Sequence, residues 1–365
     1  MRQKISIKFK TFTPVFIGSG EKYTPCQIVN INSSYYKLRD MSFFRLLHNY
    51  PKLKEKDSLN KIANKTIPNV EKQIDKKDLF YEIRKYTDEI NGEILQMIKH
   101  PSGVLYIPGS SIKGAIRTAI QYHIMKKNRS HFSEIIEIIK NKLKEVQQDP
   151  KRKWSLMSQI TKHVDSCFRF ENEIHTDFAR FLIVRDTNLL TEPVCLVRIG
   201  VFKVMSQKLV FDSKKPTFLA EVIPPSMEFE TEIIFDLDQM ELMQRELSKK
   251  YSDVPKSIDQ IFDCVREMYD DVIKDELNDL KAENSKYGSL LKKLQNQKDK
   301  IHIGYGGGLK ACSLFILLDE ELRKQVRNLI KNHGRDIAPL SRRSLINKEN
   351  QPISPFGWFT FTVVK

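Results

Sequence analysis

Apolar residues recur at every second position near the start of the chain. Ile5, Ile7 and Phe9 alternate with Lys4, Ser6, Lys8 and Lys10, and Val15 and Ile17 follow a break at Thr13-Pro14. That period predicts a strand with one buried face over residues 5–17. Gly18-Ser19-Gly20-Glu21-Lys22 reads as a tight loop after it, and residues 27–38 as a second strand or hairpin arm. At Ile112 the period changes. Ile112, Ala115, Ile116, Ala119, Ile120, His123 and Ile124 keep the spacing of a single buried helical stripe. A strand over residues 104–107 leads into this helix, with Ser110 or Ser111 placed to cap it. Residues 133–146 read as another amphipathic helix, and residues 178–185 and 217–235 as strand-rich. In the last of these, Met227, Phe229, Thr231, Ile233 and Phe235 alternate with Glu228, Glu230 and Glu232, which predicts one buried face and one acidic, wet face. Ile258, Ile261, Phe262, Val265, Tyr269, Val272, Leu277 and Leu280 mark a long helix, whose charged continuation to Leu294 reads as a helical hairpin arm. A short strand over residues 300–303 and an aromatic, β-branched strand over residues 356–364 close the chain. The order predicts an α+β fold with antiparallel pairing, not a doubly wound parallel sheet.

Composition narrows the class. With 61 Lys and Arg against 46 Asp and Glu, the chain carries a formal charge of +15, which points to an anionic partner. No apolar run is long enough for a membrane span, and the N-terminus lacks a signal-peptide core, so a cytoplasmic protein is expected. Cys26, Cys167, Cys195, Cys264 and Cys312 have no metal-ligand spacing and read as free thiols. Residues 51–78 are Lys-rich and poorly periodic, and read as a partly mobile insertion.

Two segments carry candidate chemistry. In Pro108-Gly109-Ser110-Ser111-Ile112-Lys113-Gly114-Ala115-Ile116-Arg117, a helix start aims backbone N–H groups at one spot. Gly109 permits close approach, Ser110 and Ser111 add donors, and Lys113 and Arg117 share one face. The set suits a phosphodiester; the competing reading is an ordinary capped surface helix. Gly304-Tyr305-Gly306-Gly307-Gly308-Leu309-Lys310 matches neither a dinucleotide fingerprint nor a Walker A loop, because Leu309 stands where each needs glycine. It reads as a backbone clamp on RNA with Tyr305 free to stack on a base, or else as a turn forced by packing. No catalytic constellation is readable. The histidines are dispersed, His123 falls on the apolar helix face, and Asp270 and Asp271 read as solvated.

Residues 13–20, residues 108–117, Leu182-Ile183-Val184-Arg185-Asp186 and the loop from Gly304 to Gly308 stand in an order that resembles the RAMP superfamily of CRISPR proteins. Within it the chain is most similar to the fifth Csm family of type III-A effector complexes, through its length, Gly18-Ser19-Gly20-Glu21-Lys22-Tyr23 and Pro355-Phe356-Gly357-Trp358. The resemblance implies one or two modified RRM-like (ferredoxin-like) domains with helical insertions, divided as residues 1–180 and 181–365. It implies a subunit that holds the 3′ part of the single-stranded guide RNA (crRNA), packs on the repeated backbone subunit, and supports guide maturation by recruited nucleases. The RNA-binding set expected is Gly18, Ser19, Gly20, Lys22, Gly109, Ser110, Ser111, Lys113, Arg117, Arg185, Gly304, Tyr305, Gly306, Gly307, Gly308 and Lys310, with no catalytic residue, metal or cofactor. Asp40 lies roughly where backbone subunits carry a catalytic Asp, but without a matching motif around it, so catalysis is not carried over. The alternative is a RAMP-type endoribonuclease that processes or cleaves RNA.

Overall fold

The computed structural model describes residues 1–31, 34–49, 74–87, 90, 92–148, 153–169, 176–330 and 338–364. The insertion expected over residues 51–78 lies outside them except for residues 74–78.

Two sheets carry the fold. The first has five antiparallel strands in the order β12 (Lys300–His302), β15 (Trp358–Val364), β1 (Arg2–Thr11), β11 (Glu228–Asp236) and β7 (Leu182–Val184). The alternation read in the sequence sets its register: Phe9 opposes Phe229 and Ile5 opposes Ile233 on the buried face, while Lys8 opposes Glu230 and Lys10 opposes Glu228 on the wet face. Opposite charges across a pair add to the strand match. The strand stops at Thr11, short of the expected Ile17; Val15 makes only an isolated bridge to Ile223.

The second sheet has ten strands. Its main path runs β2 (Gly18–Tyr23), β6 (Ile94–Met97), β10 (Phe218–Val222), β8 (Val194–Met205), β5 (Leu79–Lys85), β4 (Ser34–Leu38) and β3 (Ile28–Ile31). β8 also pairs with β9 (Lys208–Phe211) and β13 (Ser341–Ile346), and β13 with β14 (Pro352–Ser354). Pairing is antiparallel except for β6–β10 and β5–β8. Both sheets take strands from either side of residue 180. Residues 18–22, expected as a loop, form most of the edge strand β2, with a register shift between Gly18 and Lys22.

The helices are α1 (Asp40–Asn49), α2 (Gly109–Lys127), α3 (Arg129–Gln148), α4 (Lys153–Ser166), α5 (Leu237–Ser248), α6 (Ile258–Asp279), α7 (Lys286–Gln295), α8 (Gly308–Cys312) and α9 (Glu320–Ile330). Asp40 opens α1 and pairs with Lys37 at 3.1 Å. In α2 the expected stripe is buried at Ile112, Ile116, Ala119, Ile120 and Ile124; His123 is only half-buried, 2.5 Å from Glu267. α6 is capped by the Ser257 hydroxyl, which accepts from the Gln260 amide, and buries Ile261, Phe262, Val265, Met268, Tyr269 and Val272. Its other face is acidic and engaged: Asp270 pairs with the buried Lys300, and Asp271 accepts from the Tyr122 hydroxyl at 2.7 Å and pairs with Lys126 at 2.5 Å. One continuous apolar core joins both sheets to α2 and α6, and a smaller one lies under α1. All five cysteines are free. Among the described residues, no helix is long and apolar enough to cross a membrane.

Candidate nucleic-acid interface

Three chain segments are knitted together behind the glycine-rich loop. The Gly357 amide donates to Pro14 O at 2.9 Å, the Ile303 amide to Gly357 O at 2.8 Å, and the Tyr305 amide to Phe16 O at 2.8 Å. Gly304 has φ +86°, and a Cβ there would lie 2.6 Å from Phe16 O. That position therefore needs glycine for packing as well as for its backbone angle. The weld sets Phe16 and Ile17, which lead into the exposed start of β2 at Gly18, Ser19 and Gly20, against Gly304 and Tyr305 of the loop, in which Gly304, Gly306 and Gly308 are exposed. Gly307, between them, is half-buried. The two glycine segments, nearly 300 residues apart in sequence, are thus tethered to each other at Phe16 and Gly304, and together are termed the shelf below.

Two residues of the loop are committed elsewhere. The Tyr305 ring packs edge-on against Phe16, Phe218 and Phe356 at centroid distances of 5.7, 6.2 and 6.1 Å, and its hydroxyl accepts from Arg343 Nε at 3.1 Å. It is not the free stacking platform expected from the sequence. Lys310 is buried, with its ammonium 2.6 Å from Asp275, 2.6 Å from Asp279 and 3.3 Å from Glu276. Arg323 joins Asp275 at 3.0 Å, and Arg342 joins Glu276 and Asp279 at 2.7 Å each. Burial alone would raise the Glu276 carboxyl, but Arg342 and Lys310 outweigh it and hold it at about 2. This network of three cations and three carboxylates ties α8 to α6, and Lys310 is engaged in it.

The second cluster lies at the start of α2. A Cβ on Gly109 would fall 2.3 Å from Val184 O and 2.6 Å from Arg185 O, so only glycine lets the helix start press on the end of β7. The Gly109 amide donates to the Asp186 carboxylate at 2.7 Å. Asp186 therefore supplies the anion that the helix start favours, and neither Ser110 nor Ser111 caps it; the N-cap residue is Pro108. Ser110 is exposed and Ser111 half-buried. Arg117 lies against Asp177 at 2.7 Å and Asp165 at 3.3 Å, over the Phe178 ring. Lys113 is half-buried and has no carboxylate partner among the described residues. Burial lowers its pKa, Asp177 opposes that shift, and neighbouring Arg117 adds a smaller lowering. Arg185 and Lys22 are exposed and pair with Glu232 at 2.8 Å and Glu93 at 2.9 Å. Exposed pairs of this kind are weak, so both cations can exchange partners. Arg117 also lines a separate groove with Asp165, Leu309 and Phe315.

Sequence reading missed a buried network under β2. Glu221, wholly buried, accepts from the Tyr23 and Tyr81 hydroxyls at 2.7 Å each, from the Met97 amide at 3.0 Å, and from Lys99. The signal was present: a lone carboxylate in the apolar strand Phe218-Leu219-Ala220-Glu221-Val222. It fixes β2, and with it Gly18 and Gly20, to the sheet. His302 is also buried. Its Nε2 donates to Phe356 O at 3.0 Å, and burial holds its pKa at about 4. Among the described residues, no group of three or more His, Cys, Asp or Glu side chains is placed to hold a metal ion.

The order of these segments along the chain is matched by a family model described as the RAMP superfamily, over residues 8–311. The chain belongs to the RAMP superfamily. The superfamily match takes in both glycine segments and the α2 cluster, and ends just past Lys310. A similar protein is the CRISPR system Cms protein Csm5 of Methanocaldococcus jannaschii, 24% identical over 407 aligned positions that cover 99% of this chain and 89% of the relative. The RAMP fold of this chain is similar to that of a chain in the cryo-EM structure of a Csm-crRNA-target RNA ternary complex from a type III-A CRISPR-Cas system. The TM-score is 0.69 at 21% identity, covering 98% of this chain and 100% of that one. It is also similar to the crystal structure of T.onnurineus Csm5, with a TM-score of 0.60 at 19% identity over 97% of this chain and 99% of the other.

Proposed function

We propose that this RAMP superfamily chain is a non-catalytic, guide-RNA-binding subunit of a type III-A CRISPR effector complex. It holds the 3′ part of the guide, packs on the repeated backbone subunit, and supports guide maturation by recruited nucleases. The observation that carries the reading is the shelf: two glycine segments with exposed backbone at Gly18, Gly20, Gly304, Gly306 and Gly308, tethered through Phe16 on a chain of net charge +15. Backbone without Cβ atoms lets a phosphodiester approach closely, and exposed Lys22 and Arg185 with half-buried Lys113 supply exchangeable positive charge. The full-length likeness to a chain of a Csm-crRNA-target RNA complex supports the same assignment. A non-catalytic role is supported by how the candidate acid–base groups are used. His302 is sealed in the core, and His123 is bound to Glu267. The test is to co-express the chain with the other subunits of its effector complex and sequence the RNA that co-purifies. Guide RNAs with an intact 3′ segment are expected, and they should shorten or vanish when this chain is left out.

A further inference from the structure

A pocket of about 500 Å³ opens at the glycine loop. Gly304 to Gly308 line it together with Tyr287 and Leu291 of α7 and with Arg342 and Arg343 of β13. The two arginines are used differently. Arg342 is buried and sits with Lys310 and Arg323 among Asp275, Glu276 and Asp279, where three cations meet three carboxylates. Glu276, the carboxylate among the residues that line the pocket, is thereby balanced. Arg343 is half-buried and has no carboxylate partner among the described residues; its Nε donates to the Tyr305 hydroxyl at 3.1 Å. A guanidinium has more N–H donors than that bond uses. The two terminal nitrogens of Arg343 find no acceptor among the described residues and, unlike the buried Nε of Arg323, are not sealed from solvent. The Tyr305 hydroxyl accepts from Arg343, and its own proton has no acceptor among the described residues. The pocket lining therefore holds a positive charge that no carboxylate among these residues balances, and donors that no acceptor among them meets.

We propose that this pocket takes one phosphate group of the bound RNA, with Arg343 supplying the counter-charge and the Tyr305 hydroxyl a further donor. The proposal rests on the RNA-binding reading above and deepens it: it adds Arg343, from a strand outside every segment that suggested RNA binding in the sequence. Two features favour a phosphate over a carboxylate from a partner protein. Gly304, Gly306 and Gly308, whose exposed backbone belongs to the shelf, line this same pocket, so the cation and the backbone that admits a phosphodiester share one surface. Acidic protein segments are gripped by clusters of arginines, whereas Arg343 is the one lining cation without a carboxylate partner among the described residues, which matches the single charge of a phosphodiester. The planar fork of its terminal nitrogens can meet two phosphate oxygens at once.

The experiment measures binding of a short oligouridine to the full-length chain across a salt series, for the wild type, Arg343→Gln, Arg343→Lys and Tyr305→Phe. Arg343→Gln removes the charge, and Arg343→Lys keeps it without the fork. Tyr305→Phe removes the hydroxyl and keeps the ring that packs on Phe16, Phe218 and Phe356. Arg343→Gln should weaken binding about tenfold at low salt, in the range of a hydrogen bond to a charged group. It should also lower the log–log salt slope by roughly 0.7, the value of one phosphate contact on a single strand. Arg343→Lys should keep the wild-type slope and regain part of the affinity, and Tyr305→Phe should weaken binding with the slope retained. Melting temperatures of the same preparations separate binding from folding. Unchanged affinity and slope in Arg343→Gln would overturn the site while leaving RNA binding standing; if co-purification of neighbouring subunits is lost at the same time, the occupant is a protein carboxylate. Weaker binding at the wild-type slope, not recovered in Arg343→Lys, would show that Arg343 only props Tyr305 and would overturn the site too. Where Arg343→Gln fails to fold, Tyr305→Phe decides, and wild-type affinity in it would count against the site. A wild-type chain that binds no oligouridine would contradict the functional reading beneath, and the site with it.

Discussion

Gly109 and Asp186 meet at the start of α2, where the Gly109 amide donates to the Asp186 carboxylate at 2.7 Å across 77 residues of chain. A negative side chain thus sits where the sequence suggested a phosphate. Replacing Asp186 with Ala removes a cap and a charge together. Thermal unfolding should show a loss of about 1 kcal/mol. RNA binding at low salt should tighten, because one repulsive charge leaves the surface. A weaker complex in the same assay would mean that Asp186 orients the RNA-binding residues instead of opposing the RNA.

Gly109 and Gly114 lie on the same helix in opposite surroundings. A Cβ at Gly109 would strike the carbonyls of Val184 and Arg185, whereas at Gly114 it would meet nothing within 4 Å. Gly109→Ala should cost about 1–3 kcal/mol or more, since backbone cannot step aside cheaply. Gly114→Ala should stabilise by up to about 1 kcal/mol. Denaturant titration of both variants checks the pair, and equal effects would contradict the packing described.

Lys310 supplies a prediction about stability and acid. Lys310→Met leaves Asp275, Glu276 and Asp279 with one fewer cation, and should cost about 3–5 kcal/mol while leaving the salt slope of RNA binding unchanged. The Glu276 carboxyl is depressed from 4.5 to about 2 in the fold. Its contribution is therefore fully present above about pH 4.5 and is lost as the pH falls toward 2. Melting temperature against pH should fall through that window in the wild type, and less so in Lys310→Met.

Lys113 and Arg117 share a helix face but not a role. Lys113→Ala should lower the log–log salt slope of single-stranded RNA binding by roughly 0.7, the value of one phosphate contact. Arg117→Ala should chiefly destabilise, because it leaves Asp177 and Asp165 facing each other without their cation. Equal slope changes with equal melting temperatures would show that both touch RNA.

The elements set by local pattern were legible. β1 and β11 show period two, and α2 and α6 the helical period, because each has one apolar and one polar face. β8 went unread because Val194-Cys195-Leu196-Val197 and Ile199 to Phe202 are buried with almost no alternation, as befits a central strand covered on both faces. β2 reads as a loop in the sequence because its glycines lie on an exposed, bulged edge. At the site, sequence named the right segments but not the partners of their side chains. Asp186 at Gly109, the α6 carboxylates at Lys310 and the Phe16 carbonyl at Gly304 are all distant in sequence, and no spacing rule reports them.

The central claim is that the shelf of Gly18–Gly20 and Gly304–Gly308 holds guide RNA. Gly20 and Gly308 are exposed, with open space where a Cβ would go, although each has positive φ, at +89° and +57°. Replacing both with Asn, a residue that tolerates such angles, adds bulk to the shelf without touching the core. The measurement is the guide RNA content of the effector complex purified with this variant, alongside its melting temperature. The account predicts an assembled, folded complex, with at most a small fall in melting temperature from the two positive-φ positions, whose guide RNA is depleted or shortened at the 3′ end. Normal amounts of full-length guide on a folded, assembled variant would contradict it.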